Sequence, residues 1–361
     1  MTLPTQKPNG QILKNCSGFP LFFDGRKRRI ITADAWSFLR HLVEQSVNKK
    51  SRAKANSYID QALDFYEAAS NPRIGSKPLL YYYSFLNLAK VYLIVNKVIL
   101  PPAVKHGISD PKINIKKRVK FEGQVIRPVG VASDHSEFFP ELVKTLGGAI
   151  TRPNKDIKVL DILAQIPSIH RTFVKVKPKK HKSSFIPIKR IQVLRDNTHV
   201  WAQVILQKDD KDVSSSLPKL KKQAVFKELF KQVCNSVYNN NEICFETNPI
   251  LGRRRGIDPA IVRLSTSFQK IGVWSILTSD GYKFYFSSIN STMKLPPLAA
   301  AYAAMFYFGS ITRYKPYDYG VIMEGGYSWI VREFMATQPT QFLYTLASHL
   351  AGVDVVRPYA V

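Results

Sequence analysis

The sequence predicts an α+β protein in which N- and C-terminal helices pack as one helical body, with a basic, mixed strand-and-helix region between them. Three observations lead there. Apolar residues recur at helical spacing between about residues 34 and 98 and again beyond residue 298. Short runs rich in β-branched and aromatic residues, broken by turn signals, fill much of the interval. The excess of positive charge is concentrated in that same interval. The natural divisions fall at 1–110, 111–290 and 291–361.

Residues 1–30 read as extended chain, with Phe19 to Phe23 ending at the turn signal Asp24-Gly25. Thr32 and Asp34 are capping residues for a helix running to about Val47, with Trp36, Leu39, Leu42 and Val43 on one side. A second helix is predicted from Ala53 to Ala69 and ends before Asn71-Pro72. A third runs from Pro78, well placed in a first turn, to Val98, and Pro101-Pro102 closes it. Ile113, Ile115, Val119, Phe121, Val125 and Ile126 then suggest short strands. Short helices are expected at 138–146 and 156–166, and alternation at 174–177 suggests a strand with one charged face. His199 to Leu206 reads as a strand, Lys208 to Pro218 as a loop, Gln223 to Tyr238 as a helix and Ile243 to Phe245 as a strand. The clearest hairpin is Val273 to Phe286 around Ser279-Asp280-Gly281. A buried helix follows from Leu298 to Ile311, and two more at 329–335 and 340–350 are separated by Pro339.

Bulk composition narrows the class. The 361 residues are 45% apolar and 12% aromatic, enough for a buried core. Three cysteines, Cys16, Cys234 and Cys244, make neither a disulfide framework nor a zinc set. They read as buried apolar residues in a reducing compartment. Residues 1–10 lack a secretory apolar core, and the greasy run Leu79 to Leu100 is broken by Asn87, Lys90, Asn96 and Lys97. The expectation is a cytoplasmic protein with no membrane partner.

Lys and Arg total 53 against 26 Asp and Glu, a net charge of +27. Residues 1–110 carry +9, residues 111–255 carry +16 and residues 256–361 carry +2. A local surplus of this kind points to a polyanionic partner, nucleic acid first. The densest stretch, 168–190, holds Arg171, Lys175, Lys177, Lys179, Lys180, Lys182, Lys189 and Arg190 with no acid. Phe173 and Phe185 flank its centre and are candidates for stacking on bases. Lys116-Lys117-Arg118 and Arg253-Arg254-Arg255 are further candidate phosphate contacts, and Arg26-Lys27-Arg28-Arg29 is a fourth cluster.

Two segments carry a family resemblance. Residues 52–62, Arg-Ala-Lys-Ala-Asn-Ser-Tyr-Ile-Asp-Gln-Ala, and residues 77–90, Lys-Pro-Leu-Leu-Tyr-Tyr-Tyr-Ser-Phe-Leu-Asn-Leu-Ala-Lys, resemble the YaaC-like family of bacterial proteins. His106-Gly107, Leu298 to Phe308 and Arg313-Tyr314-Lys315-Pro316 fit the same pattern. The resemblance brackets roughly residues 50–335. It implies a bacterial cytoplasmic protein without assigning an activity, and a role in defence or nucleic-acid maintenance is in keeping with such families. The first helices also resemble HEPN domains. Active HEPN ribonucleases follow an Arg with a His after four to six intervening residues, where the two serve phosphate stabilisation and acid–base chemistry, and this sequence has no such pair. Here Arg195 and His199 have three intervening residues, and Arg127 and His135 have seven.

No P-loop and no G-x-S-x-G elbow occurs in the sequence. The nearest carboxylate groupings are Glu242 with Glu246, evenly spaced on a predicted strand, and Asp209-Asp210 with Asp212. His106, Asn87 in the middle of an apolar helix, and Arg313 with Tyr314 are the remaining polar residues that call for an explanation. The reading is a nucleic-acid-binding protein, of DNA or RNA, that contacts phosphates with low sequence preference and needs no cofactor or metal. The alternatives are a nuclease or toxin-like effector using His106, Glu242 or Glu246, and a non-catalytic subunit docking an acidic partner protein in a larger complex.

Overall fold

The computed structural model describes residues 11–15, 30–70, 75–99, 105–115, 120–129, 137–176, 185–196, 198–233, 241–252, 259–278, 281–287, 293–353 and 355–358. Along the chain, strand β1 (Gln11–Asn15) and the short β2 (Ile30–Ile31) precede helices α1 (Ala35–Ser46), α2 (Lys49–Ser70) and α3 (Lys77–Val95). Asp34 caps α1, its carboxylate accepting from the backbone N–H groups of Trp36 and Ser37, both at 3.0 Å. Strands β3 (Ile108–Ser109), β4 (Val125–Pro128) and β5 (Ile157–Lys158) form a small antiparallel sheet. Around it lie the short helices α4 (Phe138–Thr145), α5 (Val159–Leu163) and α6 (His170–Val176).

The strand-rich part follows. Strands β6 (Ile186–Ile188), β7 (Arg190–Arg195) and β8 (His199–Gln207) lead into helices α7 (Lys211–Lys222) and α8 (Ala224–Leu229). Strands β9 (Phe230–Val233), β10 (Glu242–Thr247) and β11 (Ile250–Leu251) come next, then α9 (Pro259–Lys270). Strands β12 (Val273–Thr278) and β13 (Gly281–Phe286) form the expected hairpin, with Trp274 opposite Tyr285. The larger sheet has the order β1-β7-β8-β10-β9, with β11 on β8, and a three-stranded sheet has the order β12-β13-β6. The chain closes with α10 (Pro297–Tyr314), α11 (Pro316–Glu324), α12 (Ser328–Ala351) and β14 (Val355–Val356), which pairs in parallel with β2.

Two hydrophobic cores organise these elements. The first joins α1, α2 and α3 to α10, α11 and α12 and takes in residues 121–176 as well. Alanines at 299–301, 303 and 304 and a glycine at 309 let α10 lie close against α3: a Cβ at Gly309 would stand 2.9 Å from Tyr82 Cβ. Phe85 and Phe342 stack at 3.9 Å across α3 and α12, both fully enclosed. The second core fills the space between the two larger sheets and α7, α8 and α9. Lys294 donates to Gln223 at 2.6 Å at the junction of the two bodies, while within the first Gln338 donates to Ser168 and Leu295 N–H donates to Gln165 at 2.9 Å.

Several local expectations are corrected. Residues 174–176 are the end of helix α6, not a strand. Ile169, Thr172 and Phe173 are buried at helical spacing, and that period outweighs four alternating residues. The polar segment expected to be a loop is mostly helix α7, because Asp210 accepts from Asp212 N–H at 2.8 Å and Val213 N–H at 3.2 Å, and Val213, Ser216, Leu217 and Leu220 share a buried face. Helix α8 is short and gives way to strand β9 where a helix to Tyr238 was expected; residues 234–240 lie outside the described residues. Pro339 does not divide the last helix, and α12 continues through it with Pro339 itself buried. Among the described residues, strand structure between 113 and 126 is confined to the start of β4, Phe121 lying in a 3₁₀ turn.

Candidate nucleic-acid interface

Four of the predicted phosphate contacts lie among the described residues. Arg171 and Lys175 stand one turn apart on α6, both exposed, and neither pairs with a carboxylate among the described residues. Lys189 is differently placed. Its ammonium lies 2.7 Å from the Glu242 carboxylate, whose side chain is only 6% exposed, and it also donates to Gln207 at 2.9 Å. Arg190 is half-buried, with its Nε enclosed and without a hydrogen-bond partner. Lys177, Lys179, Lys180 and Lys182 lie outside the described residues, as do Lys116, Lys117, Arg118, Arg253, Arg254 and Arg255. Phe173 and Phe185 are buried in the fold, 3% and 1% exposed, so neither is open to a base.

A second set of exposed cations lies on successive elements: Lys219 and Lys222 in the last turn of α7, Lys227 on α8, and Lys231 on β9, directly opposite Glu246 in the β9–β10 register. Lys221 beside them donates to Gln232 at 2.8 Å and lies 5.4 Å from the Phe245 ring centroid. Sequence reading missed this group because it treated the preceding segment as a loop. Once Asp210 starts a helix there, Lys219 and Lys222 fall on its exposed side.

Several carboxylates of the middle region are held in local roles, while Glu228 on α8 is exposed. Asp210 caps α7. Asp212 faces the His170 ring at 3.7 Å. Burial keeps the His170 imidazole below its ordinary pKa while Asp212 pulls the other way. Asp156 pairs with Arg127 at 2.8 Å, Glu246 accepts from Gln203, and Asp209 accepts from Asn241 at 2.8 Å. Asp196 closes a turn by accepting from the N–H groups of Thr198 and His199, which holds its pKa below the usual carboxylate range. Glu242 and Glu246, the carboxylates weighed for metal chemistry, are thus engaged by Lys189 and Gln203. No group of three or more His, Cys, Asp or Glu side chains among the described residues is placed to hold a metal ion.

The other polar residues singled out in the sequence meet along α2 and α3. Lys90 lies 4.7 Å from the Tyr58 ring centroid, Asn87 donates to Gln61 at 3.4 Å, and Tyr83 stacks on Phe65 at 5.2 Å. These three rungs run in antiparallel register along the helix pair. Asn87, 4% exposed, accepts from Lys90 at 3.2 Å, and Arg313 donates to the Tyr83 hydroxyl at 3.3 Å. His106 shares a 2.9 Å hydrogen bond between its Nδ1 and the Tyr82 hydroxyl. Its backbone is pinned: the N–H groups of Phe138 and Phe139 donate to Lys105 and His106, and Gly107 adopts φ +69°, where a Cβ would meet Pro140 at 2.6 Å.

The family model described as YaaC-like Protein matches residues 22–350. No curated protein and no solved structure matches the chain. No helix among the described residues is long and apolar enough to cross a membrane.

Proposed function

We propose that this chain, which belongs to the YaaC-like protein family, binds nucleic acid through phosphate contacts made by its middle region, with little preference for sequence. One observation carries the reading. Asp196, Asp210, Asp212, Glu242 and Glu246 cap a helix, close a turn or meet a partner within the fold, while Arg171, Lys175, Lys219, Lys222, Lys227 and Lys231 stay exposed. A protein surface left with uncompensated cations attracts a phosphate backbone by releasing its condensed counterions. Nothing among the described elements presents a base-reading arrangement, which agrees with contacts that position without specifying. The reading places the protein in the cytoplasm, in nucleic-acid maintenance or defence.

The test is fluorescence anisotropy with labelled duplex DNA, single-stranded DNA and RNA over a salt series. Each phosphate contact removed lowers the slope of log K against log salt by about 1. Arg171→Glu with Lys175→Glu is expected to weaken binding and lower that slope by about 2. Reversal of Lys177, Lys179, Lys180 and Lys182 is expected to weaken it further. Unchanged affinity and slope in both variants would overturn the site.

A further inference from the structure

The seam between α2 and α3 carries a cation with no matching anion. Lys90 is half-buried, and its ammonium meets an amide oxygen, Asn87 Oδ1, and the face of Tyr58. Among the described residues no carboxylate pairs with it. Lys54, four residues before Tyr58 on α2 and exposed, adds like charge close enough to depress the Lys90 pKa further, after burial itself. Lys90 acts likewise on His106, again after burial. A half-enclosed ammonium beside a second lysine is a costly arrangement that an anion would relieve.

Asn87 explains how the ammonium is held. Its amide is committed at both ends, the nitrogen donating to Gln61 and the oxygen accepting from Lys90. A buried asparagine fixed in this way leaves the remaining donors of Lys90 directed by geometry rather than free to wander. The same seam is lined by the rings of Tyr58, Phe65 and Tyr83, and it ends at the exposed guanidinium of Arg313. From Tyr58 to Phe65 it spans about 10 Å of helix, with cations at both ends and aromatic rings between.

We propose that the Lys54–Lys90 end of this seam binds a terminal phosphate, carried either on a small nucleotide or on the end of a nucleic-acid strand. Lysine suits the task, being a compact point charge that needs no planar partner. The site is separate from the phosphate-backbone contacts proposed for α6, so each can fail without the other.

Titration calorimetry and thermal unfolding with inorganic pyrophosphate, with a mononucleotide, and with a short oligonucleotide bearing or lacking a 5′-phosphate test the proposal. The wild type is expected to bind pyrophosphate or the mononucleotide with a Kd of millimolar or below, and to rise in Tm with it. Lys90→Met, which keeps the apolar stem and removes the charge, is expected to lose binding at least tenfold. Lys54→Ala, at an exposed position that leaves the fold untouched, is expected to lose it about threefold. Arg171→Glu with Lys175→Glu is expected to retain it. A preference for the 5′-phosphorylated oligonucleotide that disappears in Lys90→Met assigns the strand end as the source, and binding of the mononucleotide without that preference assigns the small ligand. Equal binding by wild type and Lys90→Met, or no binding of any of these probes at about 10 mM, overturns the proposal.

Discussion

Replacing Lys189 by methionine separates a lysine that holds the fold together from one that serves a ligand. Lys189 precedes β7, and its ammonium sits 2.7 Å from Glu242 on β10. Gln207, the other acceptor of Lys189, is directly opposite Glu242 in the β8–β10 register, so the lysine ties both strands. The Glu242 side chain is 6% exposed and that of Lys189 is 44% exposed. Removing one partner of a fully buried pair costs about 3–5 kcal/mol. Here the open lysine side lets water reach the abandoned carboxylate, which reduces the loss to about 1–2 kcal/mol. With a urea slope near 3 kcal/mol/M, the midpoint should fall by about 0.5 M. Adding Glu242→Gln should recover part of that loss, because the uncompensated charge is gone. Nucleic-acid affinity and its salt slope should not move in either variant. A Lys189→Met protein with its midpoint intact and its affinity reduced would refute the reasoning, since the lysine would then belong to the ligand and Glu242 would stand without its assigned partner.

Three further outcomes follow from the same structure. Asp210→Ala removes the α7 cap and should cost about 1 kcal/mol, read by denaturant unfolding, while Asp210→Asn or Asp210→Ser should keep most of it. Phe85→Ala deletes one of the two rings stacked at 3.9 Å in the helical core and should cost about 3–5 kcal/mol; Phe85→Leu should cost visibly less. His349, half-buried on α12 with its ring perpendicular to that of Tyr92, has its pKa pushed down to about 3 by desolvation. A depressed histidine pKa means the unfolded chain takes up the proton first. Stability is therefore full above about pH 6.5 and falls as the pH drops toward 3, by about 1–2 kcal/mol at pH 5. His349→Gln should flatten that acid slope in unfolding curves taken between pH 7 and pH 4.

The elements legible in the sequence are those whose pattern is long or whose punctuation is strong. Helices α1 and α3 and the β12–β13 hairpin sit close to their predicted bounds because Asp34, Pro78 and the Ser279-Asp280-Gly281 signal mark their ends in the sequence. What misled the reading was punctuation that tertiary packing overrides. Pro339 lies inside α12 because that helix is enclosed on both sides of the proline, by Phe334 and Met335 before it and Phe342 and Leu343 after it, and a lost hydrogen bond is outweighed by this burial. Ser214, Ser215 and Ser216 lie in α7 because one capping aspartate and four inward side chains suffice to begin and bury a helix.

Charge was legible as a total and illegible as a surface, for a reason that lies in strand pairing. Lys189 and Glu242 are more than fifty residues apart, and they meet because β8 brings Gln207 opposite Glu242. Gln203 and Glu246 meet through the same register. A one-residue slip of β10 would turn both carboxylates to the other face of the sheet and leave Lys189 exposed and unpaired. Whether Lys189 is offered to a ligand is therefore a property of the β8–β10 register rather than of composition. The α2–α3 seam obeys a different rule. Its rungs are set by helical spacing, Tyr58, Gln61 and Phe65 on one helix against Lys90, Asn87 and Tyr83 on the other, so its members could be read from the sequence as soon as the two helices were known to be antiparallel neighbours.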